Sequence, residues 1–446
     1  MDECISPNLV FATTQMTDYT RNRYRLDTTS STTASAGQII SVNFPEASLL
    51  DMKSFRFFFK VTCANPNATG SSADYVYARC PDSASTFIQK LEVYLNGVQV
   101  SSGANEYNSM ARMIKIGKCS NDRNSSYGQV TENSFITADS KAQVAQLCVS
   151  EWHGFLNDLS TRFLPTSLMG QIQVRITLAN NSVLVPGTVV SGNALIPTTL
   201  TANQATNAAT MTYTVSDIRF SVDAISVCPA YNEMLSQQLA REGMLKLNYK
   251  EYYTFLASSI LSNRFALSST SIDSIYGSLR TADYNTNGKP ATQVYSANTG
   301  GYVANYNAFQ SFDPDTDIST PVSNLRSQYS INNVLMPQYL QPIEDSACDV
   351  AFVWDKCGNQ AQGILPTTRE NFKKGYFQIP LVLNHPSGMG LSVRSGYNSR
   401  GVNSTMIWTL SEIPSATLPA TYNNIVVVAT TAQLKIGIGR SLAIDF

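Results

Sequence analysis

Strict alternation of apolar and polar residues is the feature that most limits what this chain can become. A period of two matches a β-strand with one buried face and cannot line one side of a helix. From Gln171 to Leu178, residues Ile172, Val174, Ile176 and Leu178 point one way, while Gln171, Gln173, Arg175 and Thr177 point the other. The C-terminal end carries the pattern further. Leu434, Ile436, Ile438, Leu442, Ile444 and Phe446 hold one phase, with Arg440 the only exception. One long closing strand is expected there, leaving no tail to act as a flexible binder.

Other segments carry the same signal. The run Leu91–Val100 alternates around Asn96-Gly97, the dipeptide suited to a two-residue hairpin turn. Between Tyr213 and Val227 the apolar phase shifts twice, as in a long strand with two bulges. Further strands are expected at Gln38–Phe44, Phe55–Cys63, Leu245–Phe255, Tyr376–Leu383, Thr405–Leu410 and Asn424–Ala429. Helices are few. Pro229–Glu242 has proline in its first turn, Gly243 as its stop, and a stripe of Tyr231, Met234, Leu235 and Leu239. Glu106–Ile116 and Ser271–Leu279 are weaker helical candidates.

The 229–243 helix divides the chain into two strand-rich parts, 37–228 and 244–446, each of a size suited to a sandwich. Two stretches read as long loops: the uncharged run Ile176–Ser216 and the Asn-, Tyr- and Gly-rich run Thr281–Pro321. Residues 1–36 read as a separate polar arm. Its Arg21, Arg23 and Arg25 are offset by Asp2, Glu3, Asp18 and Asp27, so it is no basic arm for a genome.

Charge narrows the function. Only 14% of the 446 residues are charged, against about 25% in ordinary globular chains. With 43% apolar residues, disorder does not explain the shortfall. Interface cores are depleted in charge, so a subunit covered by partners is expected. A net charge of −1 argues against a protein that grips nucleic acid. The acidic start Met1-Asp2-Glu3-Cys4 does not read as a signal peptide, and no apolar run has the length of a membrane span. The eight scattered cysteines therefore read as reduced, mostly buried thiols. The sequons at Asn67, Asn124 and Asn403 read as chance matches in a chain rich in Asn, Ser and Thr.

Catalytic and metal-binding patterns are weak. His153 and His385 are the only histidines; the first lies among aromatics and the second before Pro386, and both read as structural. No GxSxG, Walker A or GxGxxG sequence is present, and Gly437-Ile-Gly439 lacks a following helix. Cys348 and Cys357 have no second pair. Asp313, Asp315 and Asp317 alternate like a calcium loop, but Ile318 occupies the glycine position and Asn324 the final glutamate position. No catalytic, cofactor-binding or metal residue is assigned, and no cofactor is expected.

Trp152-His-Gly-Phe155-Leu, Leu164-Pro165 through Gly170 and the strand 171–178 resemble the end of the first jelly roll in double jelly-roll major capsid proteins. Tyr213–Phe220 resembles that domain's last strand, Tyr231–Leu235 the linking helix, and Leu245–Tyr253 the first strand of the second jelly roll. Ser395–Gly401 and Trp408 resemble the closing strands. The resemblance spans roughly 37–446 and is strongest toward Polinton-like viruses and virophages, within the lineage of adenovirus and tectivirus capsid proteins. It rests on order and pattern and is not carried by the loops at 65–85, 186–210 and 281–321, where members of such a family are expected to differ.

The resemblance implies an all-β fold of two tandem jelly-roll β-sandwiches joined by a short helix, with long outer loops. It implies a homotrimeric, pseudo-hexagonal capsomer in the icosahedral shell of a double-stranded DNA virus. Partners would be neighbouring capsomers, penton and minor capsid proteins, with no direct nucleic-acid binding and an internal membrane left open. The protein would reside in the virion after assembly in host cytoplasm or nucleus. On this reading the arm is a tether under the shell, and insertions near Gly192 or Asn298 are tolerated. A β-sandwich hydrolase, a carbohydrate-binding or adhesin protein, and a minor capsid protein are the alternatives.

Overall fold

The computed structural model describes residues 20–46, 49–66, 76–81, 83–101, 105–118, 142–190, 193–195, 201–227, 229–258, 260–285, 287, 292–296, 301–305, 309, 325–342, 377–384, 394–400, 405–412 and 422–446. Among these residues sixteen principal strands build two sandwiches, with shorter strands added at their margins. The first contains β1 (Thr20–Leu26), β2 (Ile39–Asn43), β3 (Leu49–Ala64), β4 (Ile88–Leu95), β5 (Val98–Ser101), β6 (Ala142–Val149), β7 (Ile172–Leu178) and β8 (Thr212–Ser226). The second contains β9 (Met244–Ser258), β10 (Ser262–Ala266), β11 (Ile272–Thr281), β12 (Leu325–Ile331), β13 (Val334–Pro342), β14 (Ile379–Val382), β15 (Thr405–Glu412) and β16 (Tyr422–Gly437). Helix α1 (Tyr107–Lys118) lies in the first half, and α2 (Pro229–Glu242) links the halves.

The two halves are wound identically. The first pairs β1-β8-β3-β6 in one sheet and β2-β7-β4-β5 in the other; the second pairs β9-β16-β11-β14 and β10-β15-β12-β13. Each neighbouring pair is antiparallel, so first and third strands run together and the last runs between them. This winding places four connections of each half at one end of its sandwich. In the first half those include 65–87, 102–141 and 179–211, and in the second 282–324 and 343–378. The opposite end carries two-residue turns, Asn96-Gly97 and Asn332-Asn333, all with positive φ.

The alternating segment at Gln171–Leu178 forms β7, with every second side chain buried. The long strand near Tyr213 is β8, and its register against β3 shifts at two places, between Ser216 and Arg219 and between Ser221 and Asp223. Asp217 supplies the first bulge with a φ of 51°. Aromatic rings fill the first sandwich: Phe220 stacks on Phe57 at 4.8 Å and Phe55 at 5.7 Å. Trp152 lies 5.2 Å from Phe55 and donates its indole N–H to the Phe55 carbonyl at 3.0 Å.

Several expectations change. Ser271–Leu279 is no helix but most of β11, whose residues Ile272 to Arg280 are all buried. Burial on both faces erases alternation, leaving Ile272, Ile275 and Leu279 at a spacing that imitates a helix. The closing strand is two strands: β16 turns at 438–440, and Leu442–Asp445 folds back on it. Leu434 opposes Ile444 and Ile436 opposes Leu442. Cross-strand partners share a face, so the phase survives the hairpin while Ile438, at its tip, is exposed.

Part of the supposed polar arm, Thr20–Leu26, is the first strand of the first sheet. The uncharged run 176–216 contains strands Val185–Val190 and Asn193–Leu195 and a helix Ala202–Ala208 with a Thr201/Gln204 capping box. On α2, Tyr231, Leu235 and Leu239 are buried, but Met234 is exposed. Residues Gly192 and Asn298 lie outside the described residues.

Glycine 277 lets β11 pass beneath Tyr329 and Trp408. A Cβ there would lie 2.7 Å from the Tyr329 oxygen and 2.8 Å from the Trp408 ring. Gly277→Ala is expected to destabilise the second sandwich by about 1–3 kcal/mol through overpacking, read as a lower denaturant midpoint.

Candidate assembly surface

Three features bear on what this body could join. They are the seam between its sandwiches, the fastening of its first strand, and an apolar edge.

The seam runs along β9. Near the short-turn end, Leu159 bridges to Tyr249, Ser160 N–H donates to the Asn248 carbonyl at 2.7 Å, and Lys250 N–H donates to the Asp158 carbonyl at 3.1 Å. Tyr249 meets Phe155 edge-on at 5.2 Å and donates its hydroxyl to the Val100 carbonyl at 2.7 Å. Burial lifts the Tyr249 hydroxyl far above its ordinary range, with the Glu251 carboxylate adding to the effect, so it remains a donor.

At the long-connection end the contacts are polar. Arg280, fully buried on β11, donates to Ser109 Oγ at 2.6 Å, pairs with Glu106 at 3.4 Å and lies 3.3 Å from the Tyr284 ring centroid. Asn287 donates to the Ala209 carbonyl at 2.7 Å, and Ser182 to Asn285 at 3.0 Å. Contacts at corresponding ends therefore hold both sandwiches side by side, pointing the same way.

His153 lies in this seam, with its backbone N–H donating to Tyr107 Oη at 3.1 Å and its ring edge-on to Tyr252 at 6.4 Å. The two hollows beside it hold about 20 and 10 Å³, space for roughly one water molecule each. Gly437 and Gly439 flank the C-terminal hairpin turn, where Gly439 has a φ of 72°. His385, Cys348, Cys357, Asp313, Asp315, Asp317, Asn67, Asn124 and Asn403 lie outside the described residues. Among the described residues, no group of three or more His, Cys, Asp or Glu side chains comes together as a metal site.

Sequence reading missed the fastening of β1, because the acids and bases concerned are far apart in the chain. The side chains of β1 are mostly exposed, so apolar burial does little to hold it. Instead Arg21 bridges two buried carboxylates, reaching Asp223 at 2.6 Å and Asp51 at 3.0 Å. Arg23 meets Asp223 at 2.9 Å, and Arg162 meets Asp51 at 3.0 Å. Burial pushes the Asp223 carboxyl upward, but hydrogen bonds and charge from Arg23 and Arg21 outweigh it and leave the group below its ordinary value.

Strand β13 forms an edge of its sheet, and among the described residues no strand pairs on its outer side. Val334, Leu335, Tyr339 and Leu340 are exposed along it. A long apolar edge is a hazard for a free monomer and an asset for a chain that is covered.

No protein-family model matches the sequence, and no curated protein matches it. Solved structures do match. The crystal structure of PBCV-1 VP54, fitted into a reconstruction of the virophage Sputnik, aligns over 96% of this chain and 97% of its own at a TM-score of 0.57 and 11% identity. The PBCV-1 virus capsid aligns over the same shares at 0.56 and 13% identity. The Faustovirus major capsid protein aligns over 93% of this chain and 90% of its own at 0.50 and 9% identity.

The fold is a double jelly roll. At such identities the shared feature is the winding itself, carried across nearly the whole of each chain. The double jelly roll expected from sequence is thus present, and its first strand begins at Thr20, earlier than the expected boundary at 37.

Two outcomes follow for these contacts. Because the folded Asp223 value lies below the unfolded one, its contribution is full above the ordinary aspartate range and is lost as pH falls through the folded value. Hydrogen exchange should show β1 amides opening in acid before those of β3, and Asp223→Asn should show the same opening at neutral pH. Glu106→Ala leaves Arg280 buried without its carboxylate and is expected to cost about 3–5 kcal/mol, seen as early unfolding of the seam in a denaturant series.

Proposed function

We propose that this chain is the major capsid protein of an icosahedral double-stranded DNA virus, acting as a structural subunit without catalysis. The observation that carries the reading is the pair of like-wound sandwiches held side by side with one polarity, a body shared over nearly full length with the PBCV-1 capsid structures. The two sandwiches share one polarity and place their longest connections at the same end, which suits a shell with an outer and an inner face. The sparse charge and the apolar β13 edge support a subunit covered on its sides.

Three such chains would place six sandwiches around one axis, giving the pseudo-hexagonal homotrimer that tiles a shell beside neighbouring capsomers. Penton and minor capsid proteins would fill the remaining positions. The protein would reside in the virion, after synthesis and assembly in the host cytoplasm or nucleus. Domain limits under this reading are residues 20–227 and 244–446, joined by α2, with 1–19 left as the candidate tether.

Light scattering behind a sizing column tests the reading. Three copies of the 48.7 kDa chain give about 146 kDa, and grids from that peak should show a hexagonal outline. A stable monomer near the mass of one chain would overturn it.

A further inference from the structure

Cys63 and Cys80 place their sulfurs 3.3 Å apart in the interior of the first sandwich. Cys63 lies near the end of β3 and is fully buried; Cys80 follows the short strand Tyr77–Arg79 and is 5% exposed. Neighbouring groups impose their approach. Asn65 donates to the Val76 carbonyl at 2.8 Å and the Asn207 carbonyl at 3.0 Å, while Thr210 donates to the Asn65 side-chain oxygen at 2.8 Å. These bonds tie the chain just after Cys63 to the chain just before Cys80. Both sulfurs are reduced in this structure, and a disulfide needs them about 2.05 Å apart, a closure of about 1.3 Å.

We infer that Cys63 and Cys80 form an oxidisable pair that closes into a disulfide and staples the end of the strand Tyr77–Arg79 to β3. A small peroxide is the oxidant that such a buried site admits. The Cys80 sulfur, the less buried of the two, attacks one peroxide oxygen as a thiolate; the O–O bond breaks, and Cys80 becomes a sulfenic acid with release of water. The Cys63 sulfur then attacks the sulfenic sulfur, giving up its proton, and a second water leaves as the S–S bond forms. In total two thiols and one hydrogen peroxide give one disulfide and two waters. The hydrogen bond with Cys80, burial and the Cys80 charge hold the Cys63 thiol well above its ordinary range, so Cys63 keeps its proton while Cys80 reacts.

The stapled strand lies at the long-connection end of the first sandwich. The timing of closure rests on the capsid reading, since a shell subunit passes from a reducing cell to an oxidising exterior; the pairing chemistry does not. Cys148 is an internal control. It is buried on β6, its thiol is raised to about 11, chiefly by burial with Arg56 opposing, and it makes no sulfur contact among the described residues.

The test uses the full chain, purified with reductant, freed of it, treated with hydrogen peroxide, alkylated under denaturing conditions and digested with trypsin. Cleavage after Lys60, Arg79 and Lys90 puts the two cysteines on separate peptides, 61–79 and 80–90. The expected result is a joined 61–79/80–90 product, about 2 Da lighter than its two free peptides together, separable by reductant and absent from Cys80→Ser. Cys148 stays alkylatable. Peptides that remain separate and fully alkylated, or a bond from either cysteine to a different one, would overturn the pairing. Light scattering of reduced and oxidised protein tests the trimer independently, so the two readings can fail separately.

Discussion

The contact between Phe155, Leu159 and Tyr249 sets the relation between the two sandwiches, and the properties of the body depend on it. It lies where the connection between β6 and β7 crosses the start of β9, and it makes one apolar core continuous through both halves. Continuity matters because separate cores joined by a linker would be free to rotate. With the seam formed at the short-turn end and Arg280, Asn285 and Asn287 closing it at the other, the sandwiches keep one polarity. The long connections of both halves then emerge together.

Charge is spent sparingly and in specific places. Asp51, Asp223, Asp273 and Arg280 are buried, and each has opposite charge within 3.4 Å. Lys250 meets Asp273 at 2.5 Å across the intervening β16, where Thr431 also donates to the same carboxylate at 2.6 Å. Such pairs add little net stability compared with apolar packing, but they penalise misregistered strands, which would leave a charge buried alone. The outermost strand, β1, is the clearest case. Its position is specified by Arg21 and Arg23 and its backbone ladder, with little apolar help.

Much of this was legible in local pattern. A strand with one wet face announces itself, as at Gln171–Leu178; so does an Asn-Gly hairpin, and so does a helix bounded by proline and glycine, as at Pro229–Glu242. Strands lacking that asymmetry were hidden. β11 is buried on both faces and β1 is exposed along nearly its whole length, so neither alternates. The C-terminal hairpin escaped because a turn that preserves parity leaves the apolar phase intact. Of the assembly surface, only the sparse charge could be read in advance.

By itself the sequence determined that the chain is all-β, that its charge is sparse and nearly balanced, and where most strands and the linking helix lie. These are consequences of composition and of contacts between residues close in the chain. Only the tertiary structure decided the identical winding of both halves, their common polarity, the Arg21–Asp223 fastening and the meeting of Cys63 with Cys80. Each depends on which distant segments come together, and no local period encodes that choice. It is made by the burial of whole sheets against one another.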